Sequence, residues 1–133
     1  MKESTIFVKY ISFAIQLINT INNLGLDIRN KKLYLPEEYI KLYNINLDEL
    51  YDLKQTENLK YLLESLSNQA KLYYYKAIKL VNEKNKKQIR PFLIMLDIKI
   101  SMLNEIEKNN FKVINQKISI TPIKKIFIAY RYI

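Results

Sequence analysis

The chain has 133 residues with no cysteine, no histidine and a formal net charge of +9. The missing residue types exclude disulfides, the usual zinc sites, and thiol or imidazole catalysis, and the absence of cysteine fits a reducing cytoplasm. Its apolar runs fall short of the roughly 20 residues that a transmembrane helix needs. The three arginines are scattered and the lysines form no recognisable module, so the charge does not indicate nucleic-acid binding.

The first element in chain order is a long helix. The chain has only one glycine and three prolines, the residues that most often form turns, and this favours helices over hairpins. We predict this helix from Ser4, its N-cap, to Leu24, with Gly25 ending it. Apolar residues recur every three or four positions and predict a buried stripe. The stripe comprises Ile6, Tyr10, Phe13, Leu17, Ile21 and Leu24, widened by Ile11, Ile15 and Ile18.

Two shorter elements and a second long helix follow. Pro36 opens a short helix over 37–43, and Asn46 caps a further helical turn. The second long helix begins near Thr56. Its apolar residues keep helical spacing as far as Val81, which predicts one buried face.

A charged loop over 82–87 separates this helix from the third long helix. We predict that the third helix begins near Arg90, with Pro91 in its first turn, where the missing N–H costs nothing. Its apolar residues occupy most of the circumference of the helix, which predicts a central and buried helix. Asn109 and Asn110 end it.

The carboxylates of the third long helix have a structural interpretation. Asp97, Glu105 and Glu107 do not have the spacing of a metal-ligand set. We expect ion pairs with Lys99 and Lys108 instead.

The last helix is predicted from Pro122, with Thr121 as its cap, to Ile133. Its basic residues alternate with apolar ones, so it either lies on a membrane surface or packs against the other helices. We expect packing, through Ile123, Phe127 and Tyr130. Each helix then supplies one stripe to a common core, and the predicted fold class is all-α.

Polar side chains follow one face of the first predicted helix. They are Ser12, Gln16, Asn19, Asn23 and Asp27, at spacings of four, three, four and four residues. Buried polar groups need partners, so such a line faces water, an ion or another polar surface. The pattern alone leaves two interpretations open, an ordinary solvated face or a binding site.

The same segment resembles the second aspartate-rich motif of the squalene/phytoene synthase family. The matching positions are Gln16, Leu17 and Asn19 for its Gln-Leu-x-Asn, Gly25, Asp27 and Arg29 for the end of the motif, and Leu33, Tyr34, Leu35 and Pro36 for its exit. A weaker match continues to Lys125. We therefore expect residues 1–133 to form a single domain that resembles the carboxy-terminal half of the family domain.

The resemblance implies a partial isoprenoid-synthase-type helical bundle. In the family, two aspartate-rich motifs face each other across a helical cavity and hold Mg²⁺, which binds the diphosphate of a prenyl substrate. The implied ancestral activity is the Mg²⁺-dependent condensation of two prenyl diphosphates. The implied metal ligands are Asp27 and Asn23, and the implied substrate-binding residues are Gln16, Asn19, Arg29 and Tyr34.

The chain departs from the family pattern in its metal ligands. Asn23 stands in place of the first aspartate of the motif, and Leu26 in place of an acidic residue that often precedes the second. No Asp-Asp-x-x-Asp occurs, so the first motif is absent. We therefore expect a truncated or split synthase that is inactive alone. As half of a split enzyme it would need an amino-terminal half in trans and would bind prenyl diphosphate once reconstituted; the other possibility is the product of a decaying gene.

Two alternatives of other classes remain open. Loss of metal carboxylates would be permitted in a non-catalytic family member that acts as an assembly factor for a respiratory complex at the membrane. Such a protein would be indifferent to substitution of Asp27. A basic membrane-surface protein would instead bind liposomes in a salt-dependent manner. We expect a cytoplasmic location, with peripheral membrane contact under either alternative.

Overall fold

The structure is a computed structural model that describes residues 2–115 and 122–131. These ranges contain helices and no strand. The helices are α1 (Lys2–Asn22), α2 (Leu24–Arg29), α3 (Glu37–Leu42), α4 (Leu47–Tyr51), α5 (Glu57–Ile78), α6 (Lys86–Lys108) and α7 (Pro122–Tyr130). The predicted all-α fold class is confirmed. Within the same ranges, no helix combines the length and the apolar character that crossing a membrane requires.

The central element is α1, which packs against both α5 and α6. The predicted stripe is confirmed in part: Ile11, Ile18 and Ile21 are buried, whereas Ile6 is exposed and its neighbour Phe7 is buried instead. The buried side chains of α1 are Phe7, Ile11, Ala14, Ile18 and Ile21, together with Asn22. On α6, Phe92 and Met95 are exposed, so the expectation of a central, buried third helix is wrong.

Side-chain caps start two of the helices where the sequence predicts them. The side-chain oxygens of Asn46 and Thr56 accept hydrogen bonds from the backbone N–H groups of Glu49 and Leu59, each at 3.2 Å. These bonds satisfy backbone donors that have no partner inside the helix. The predicted cap at Ser4 is wrong, because α1 already includes that residue.

α6 begins earlier than its apolar pattern indicates. Asn82 Oδ1 accepts from the backbone N–H of Asn85, and Asn85 Oδ1 accepts from that of Asn82, each at 2.9 Å. These two reciprocal hydrogen bonds order the turn before the helix, which begins at Lys86 rather than near Arg90. Pro91 therefore lies in the second turn and not in the first, which corrects the prediction.

The single glycine has a different role from the one predicted. α1 stops at Asn22 and α2 begins at Leu24, so Gly25 lies inside a helix and does not end one. A Cβ at Gly25 would lie 2.0 Å from the carbonyl oxygen of Ile114. Only glycine therefore lets the segment 111–114, which follows α6, lie against α2.

The chain after α6 is only partly described. Asn109 ends α6 as predicted, and Pro122 is the first residue of α7. The Thr121 cap, the helix end at Ile133 and the side chain of Ile123 lie outside the described residues.

The expected packing of α7 is wrong for the two aromatic side chains that can be checked. Phe127 and Tyr130 are exposed, and Ile128 is buried in their place. The helix therefore contacts the rest of the protein through a face about 100° or more away from the one expected.

Gly25→Ala should lower the free energy of unfolding by about 2–3 kcal/mol, because the backbone of Ile114 must move to make room for the methyl group. Urea denaturation followed by circular dichroism measures this change. The matched control is Leu26→Ala, which shortens an exposed neighbour on the same helix and should cost less than about 1 kcal/mol. Equal losses in the two variants would contradict the close contact.

Candidate functional site

A groove along α1 contains the whole predicted polar stripe. It has a volume of about 650 Å³ and is lined by α1, by two residues of α6, and by Asp27 and Tyr34 beyond the end of α1. The predicted stripe residues that line it are Ser12, Gln16, Asn19, Asn23 and Asp27. The structure therefore brings these five positions together on one surface.

The break between α1 and α2 does not turn Asp27 away from this surface. The backbone N–H of Asn23 donates to the carbonyl of Asn19 at 2.9 Å, and that of Asp27 donates to the carbonyl of Asn23 at 2.8 Å. These are the i to i−4 bonds of a continuous α-helix. Side chains four residues apart therefore stay one above the other across the break.

The two ends of the groove differ in polarity. The apolar end is lined by Val8, Ile11 and Ile15 of α1 and by Phe92 and Met95 of α6, with the small hydroxyl residue Ser12 among them. The polar end carries the amides and the carboxylate of residues 19–27. Lining a groove explains why two large apolar side chains of α6 are exposed. An elongated ligand with a polar head and a hydrocarbon tail matches this division.

Lys99 of α6 reaches the polar end of the groove. Its Nζ donates to Asn19 Oδ1 at 2.8 Å. Because Oδ1 is used in this bond, the Nδ2 group of Asn19 is the part of the amide left to donate to a ligand. The sequence pattern predicts that Lys99 forms an ion pair on its own helix. No spacing could have indicated this contact, since the two residues are 80 positions apart.

Asn23 holds a buried polar atom that is unsatisfied. Its Oδ1 has no hydrogen-bond partner, and an unpaired buried acceptor costs about 1–3 kcal/mol. Together with the carboxylate of Asp27, this amide is an oxygen donor of the kind that Mg²⁺ accepts. The described residues include no group of three or more metal-binding side chains. They therefore offer one carboxylate and one amide, which is less than a complete magnesium site requires.

Of the other predicted substrate-binding residues, Gln16 and Tyr34 line the groove and Arg29 does not. Gln16 and Tyr34 are exposed and line the groove, where they also border a smaller adjoining cavity. Arg29 lies apart from the groove. Its guanidinium donates to Asn115 Oδ1 at 3.4 Å, and it borders a separate cavity with Lys31. The roles of all these residues as ligands stay predictions.

The carboxylates near the end of α6 hold elements together and do not line the groove. Glu105 Oε1 lies 3.5 Å from Nζ of both Lys108 and Lys124, so the expected pairing with Lys108 is confirmed. Glu107 pairs with Lys71 of α5 at 2.5 Å. These ion pairs connect α6 to α5 and to α7.

Asp97 forms a pair with Tyr74 away from the groove. The Tyr74 hydroxyl donates to Asp97 Oδ1 at 3.2 Å. Burial, with a further contribution from the Asp97 charge, raises the pKa of Tyr74 to about 12. Burial also raises the pKa of the Asp97 carboxyl, and it outweighs the Tyr74 hydrogen bond and the charge of Arg131, which lower it.

Comparison with known proteins identifies relatives over most of the chain. The family model for squalene/phytoene synthases matches residues 10–124. The chain is 23% identical over 116 residues to a chloroplastic phytoene synthase of the Oncidium hybrid cultivar and 25% identical over 116 residues to that of Daucus carota. It is 24% identical over 123 residues to phytoene synthase 2 of Solanum lycopersicum. These alignments cover 87–90% of this chain but only 28–40% of the relatives, so the chain spans well under half of their length.

Asp97→Asn should raise the free energy of unfolding at pH 7, because burial disfavours the carboxylate more than its neighbours favour it. A carboxyl whose pKa is raised on folding contributes stability at acid pH, and this is lost as the pH rises through the unfolded and then the folded pKa. The variant and the wild type should therefore be equally stable near pH 3 and diverge as the pH rises to about 7. Urea denaturation across this range measures the difference, with exposed Asp52→Asn as the control. A variant less stable than the wild type at pH 7 would contradict this account.

Proposed function

The chain belongs to the squalene/phytoene synthase family, and we propose that its α1 groove is one wall of a prenyl diphosphate site. The observation that carries this proposal is the division of the groove into a polar end and an apolar end. A prenyl diphosphate has the same division, with an anionic head and a hydrocarbon chain. A volume of about 650 Å³ lies within the range of ligand-sized pockets.

The chain's own residues have distinct roles in this proposal. Asp27 and Asn23 would contribute oxygen ligands to Mg²⁺, and Asn19 would donate its Nδ2 hydrogens to a diphosphate oxygen. When bound, the metal neutralises the diphosphate and makes it a better leaving group. Phe92 and Met95 would pack along the prenyl chain and exclude water from it.

The described residues do not suffice for catalysis by themselves under this proposal. Among the described residues, Asp27 is the single carboxylate that lines the groove, and no Asp-Asp-x-x-Asp occurs in the sequence. The remaining metal ligands and the facing wall would come from residues beyond this sequence, in the same polypeptide or in a second one. Condensation of two prenyl diphosphates would then require both walls.

The remaining sequence-based alternatives differ in their support. The relatives described above are all named phytoene synthases, so the role of assembly factor for a respiratory complex gains no support from them. The cytoplasmic location stays a prediction, since these relatives are described as chloroplastic.

Asp27→Asn should weaken Mg²⁺-dependent binding of a non-hydrolysable farnesyl diphosphate analogue by about tenfold or more, because a charged metal contact is lost. Titration monitored by ¹⁵N–¹H NMR detects weak binding and assigns it to residues. In the wild type, the side-chain amide signals of Gln16, Asn19 and Asn23 should shift. Asp52→Asn, which removes an exposed carboxylate outside the groove, is the matched control. Binding that is unchanged in Asp27→Asn, or shifts confined to other surfaces, would argue against the proposal.

Lys99→Met should weaken binding of the same analogue by about three- to tenfold, because the Asn19 amide loses the bond that orients it. Lys99→Arg keeps a cationic donor and should restore most of the affinity. The Asn19 side-chain signal should shift in the free Lys99→Met protein as well. The control is Lys87→Met, an exposed lysine at the start of α6. If Lys99→Arg binds as weakly as Lys99→Met while both are folded, Lys99 does not act through this hydrogen bond.

A further inference from the structure

α7 turns three large apolar side chains outward. Ile126, Phe127 and Tyr130 are 68%, 66% and 70% exposed. At 100° per residue they fall within an arc of about 100° on one side of the helix. Exposed apolar residues are ordinary when they are scattered, but three on one side of a nine-residue helix form a continuous stripe.

The outward orientation does not arise because α7 is detached. Ile128, on the opposite side of the helix, is 2% exposed and packs into the protein. Lys124 Nζ lies 3.5 Å from Glu105 Oε1 of α6. Arg131 is near enough to Asp97 to lower the pKa of its carboxyl. α7 is thus held against α6 on one side while its apolar stripe faces away.

Cations flank the apolar stripe on both edges. By helical geometry, Lys124 and Arg131 lie beyond one edge and Lys125 beyond the other, and all three are exposed. Residues 122–131 contain no acidic side chain. Long basic side chains can extend past an apolar stripe and keep their charges in a polar layer. This arrangement is typical of helices that lie in the interface of an anionic membrane.

We propose that α7 is an interfacial helix that docks the protein on a membrane surface containing anionic lipids. Charge complementarity favours this occupant over a second copy of the chain, because two copies would each bring a net charge of +9 to the contact. The apolar stripe enters the boundary between headgroups and acyl chains, and Lys125 and Arg131 contact the headgroups while Lys124 stays paired with Glu105. One short helix makes the association weak, reversible and salt-dependent.

Co-sedimentation with lipid vesicles tests the proposal. The wild-type chain should bind phosphatidylcholine vesicles containing about 30 mol % phosphatidylglycerol, and the bound fraction should fall as salt rises from about 50 to 500 mM. Phe127→Ser should lower the affinity about tenfold, because the variant has no aromatic ring to transfer from water into the lipid. Lys125→Glu should lower it severalfold through charge reversal. Both side chains are exposed, so the fold should be retained, which circular dichroism checks.

Two matched controls distinguish binding through α7 from nonspecific binding through any exposed apolar or basic side chain. Leu42→Ser removes an apolar side chain of α3 that is 69% exposed, and Lys87→Glu reverses an exposed charge on α6. Both should bind vesicles like the wild type. The proposal is overturned if the wild type does not bind anionic vesicles, or if the controls lose as much affinity for them as the α7 variants. It is also overturned if sedimentation equilibrium shows a dimer that Phe127→Ser dissociates. Phe127→Ser should leave analogue binding in the α1 groove unchanged, so this inference and the proposed function fail separately.

Discussion

The backbone of Ile114 approaches Gly25 so closely that no side chain fits between them, and the positions of several other elements depend on this contact. It fixes the segment after α6 against α2, the short helix that carries Asp27. The same segment buries its apolar side chains in the core formed with α1, α2 and α5. The absence of a side chain at Gly25 therefore lets the segment after α6 lie directly against the helix that carries Asp27.

α1 makes the groove possible because it has two faces with opposite requirements. One face is buried against α5 and α6, and the other carries the amides that line the groove, whose burial costs free energy unless they find partners. Asn19 of the groove face finds a partner in Lys99, and Asn22, which is buried, donates from Nδ2 to Met102 Sδ at 3.2 Å. These two contacts, three residues apart on each helix, show that α1 and α6 run parallel in this region. They also fix the register of α1 against α6 along the groove.

The sequence predicted the features that depend on local spacing. The cap at Asn46, the start of the second long helix near Thr56, the all-α class and the common face of the polar stripe follow from periodicity and from backbone donors that need partners. The buried side of α1 was predicted only in part. Ile11, Ile18 and Ile21 are buried as predicted, but Phe7 was missed, because apolar residues occupy so much of this helix that periodicity alone does not select one face. The role of Gly25 could not be predicted either. Its reason lies in the backbone of a residue far along the chain, and the same applies to the bond between Lys99 and Asn19.

The central position of α1 has a consequence for the order of folding events during synthesis. α1 precedes α5 and α6 in the chain, yet these are the helices that cover its buried face. Within this sequence, the buried face of α1 meets its main partner once α5 has been made, and its second partner once α6 has been made. Contacts so distant in sequence slow folding and prolong the exposure of apolar surface. The nascent chain should depend on chaperones during this interval more than a bundle built from neighbouring helices would.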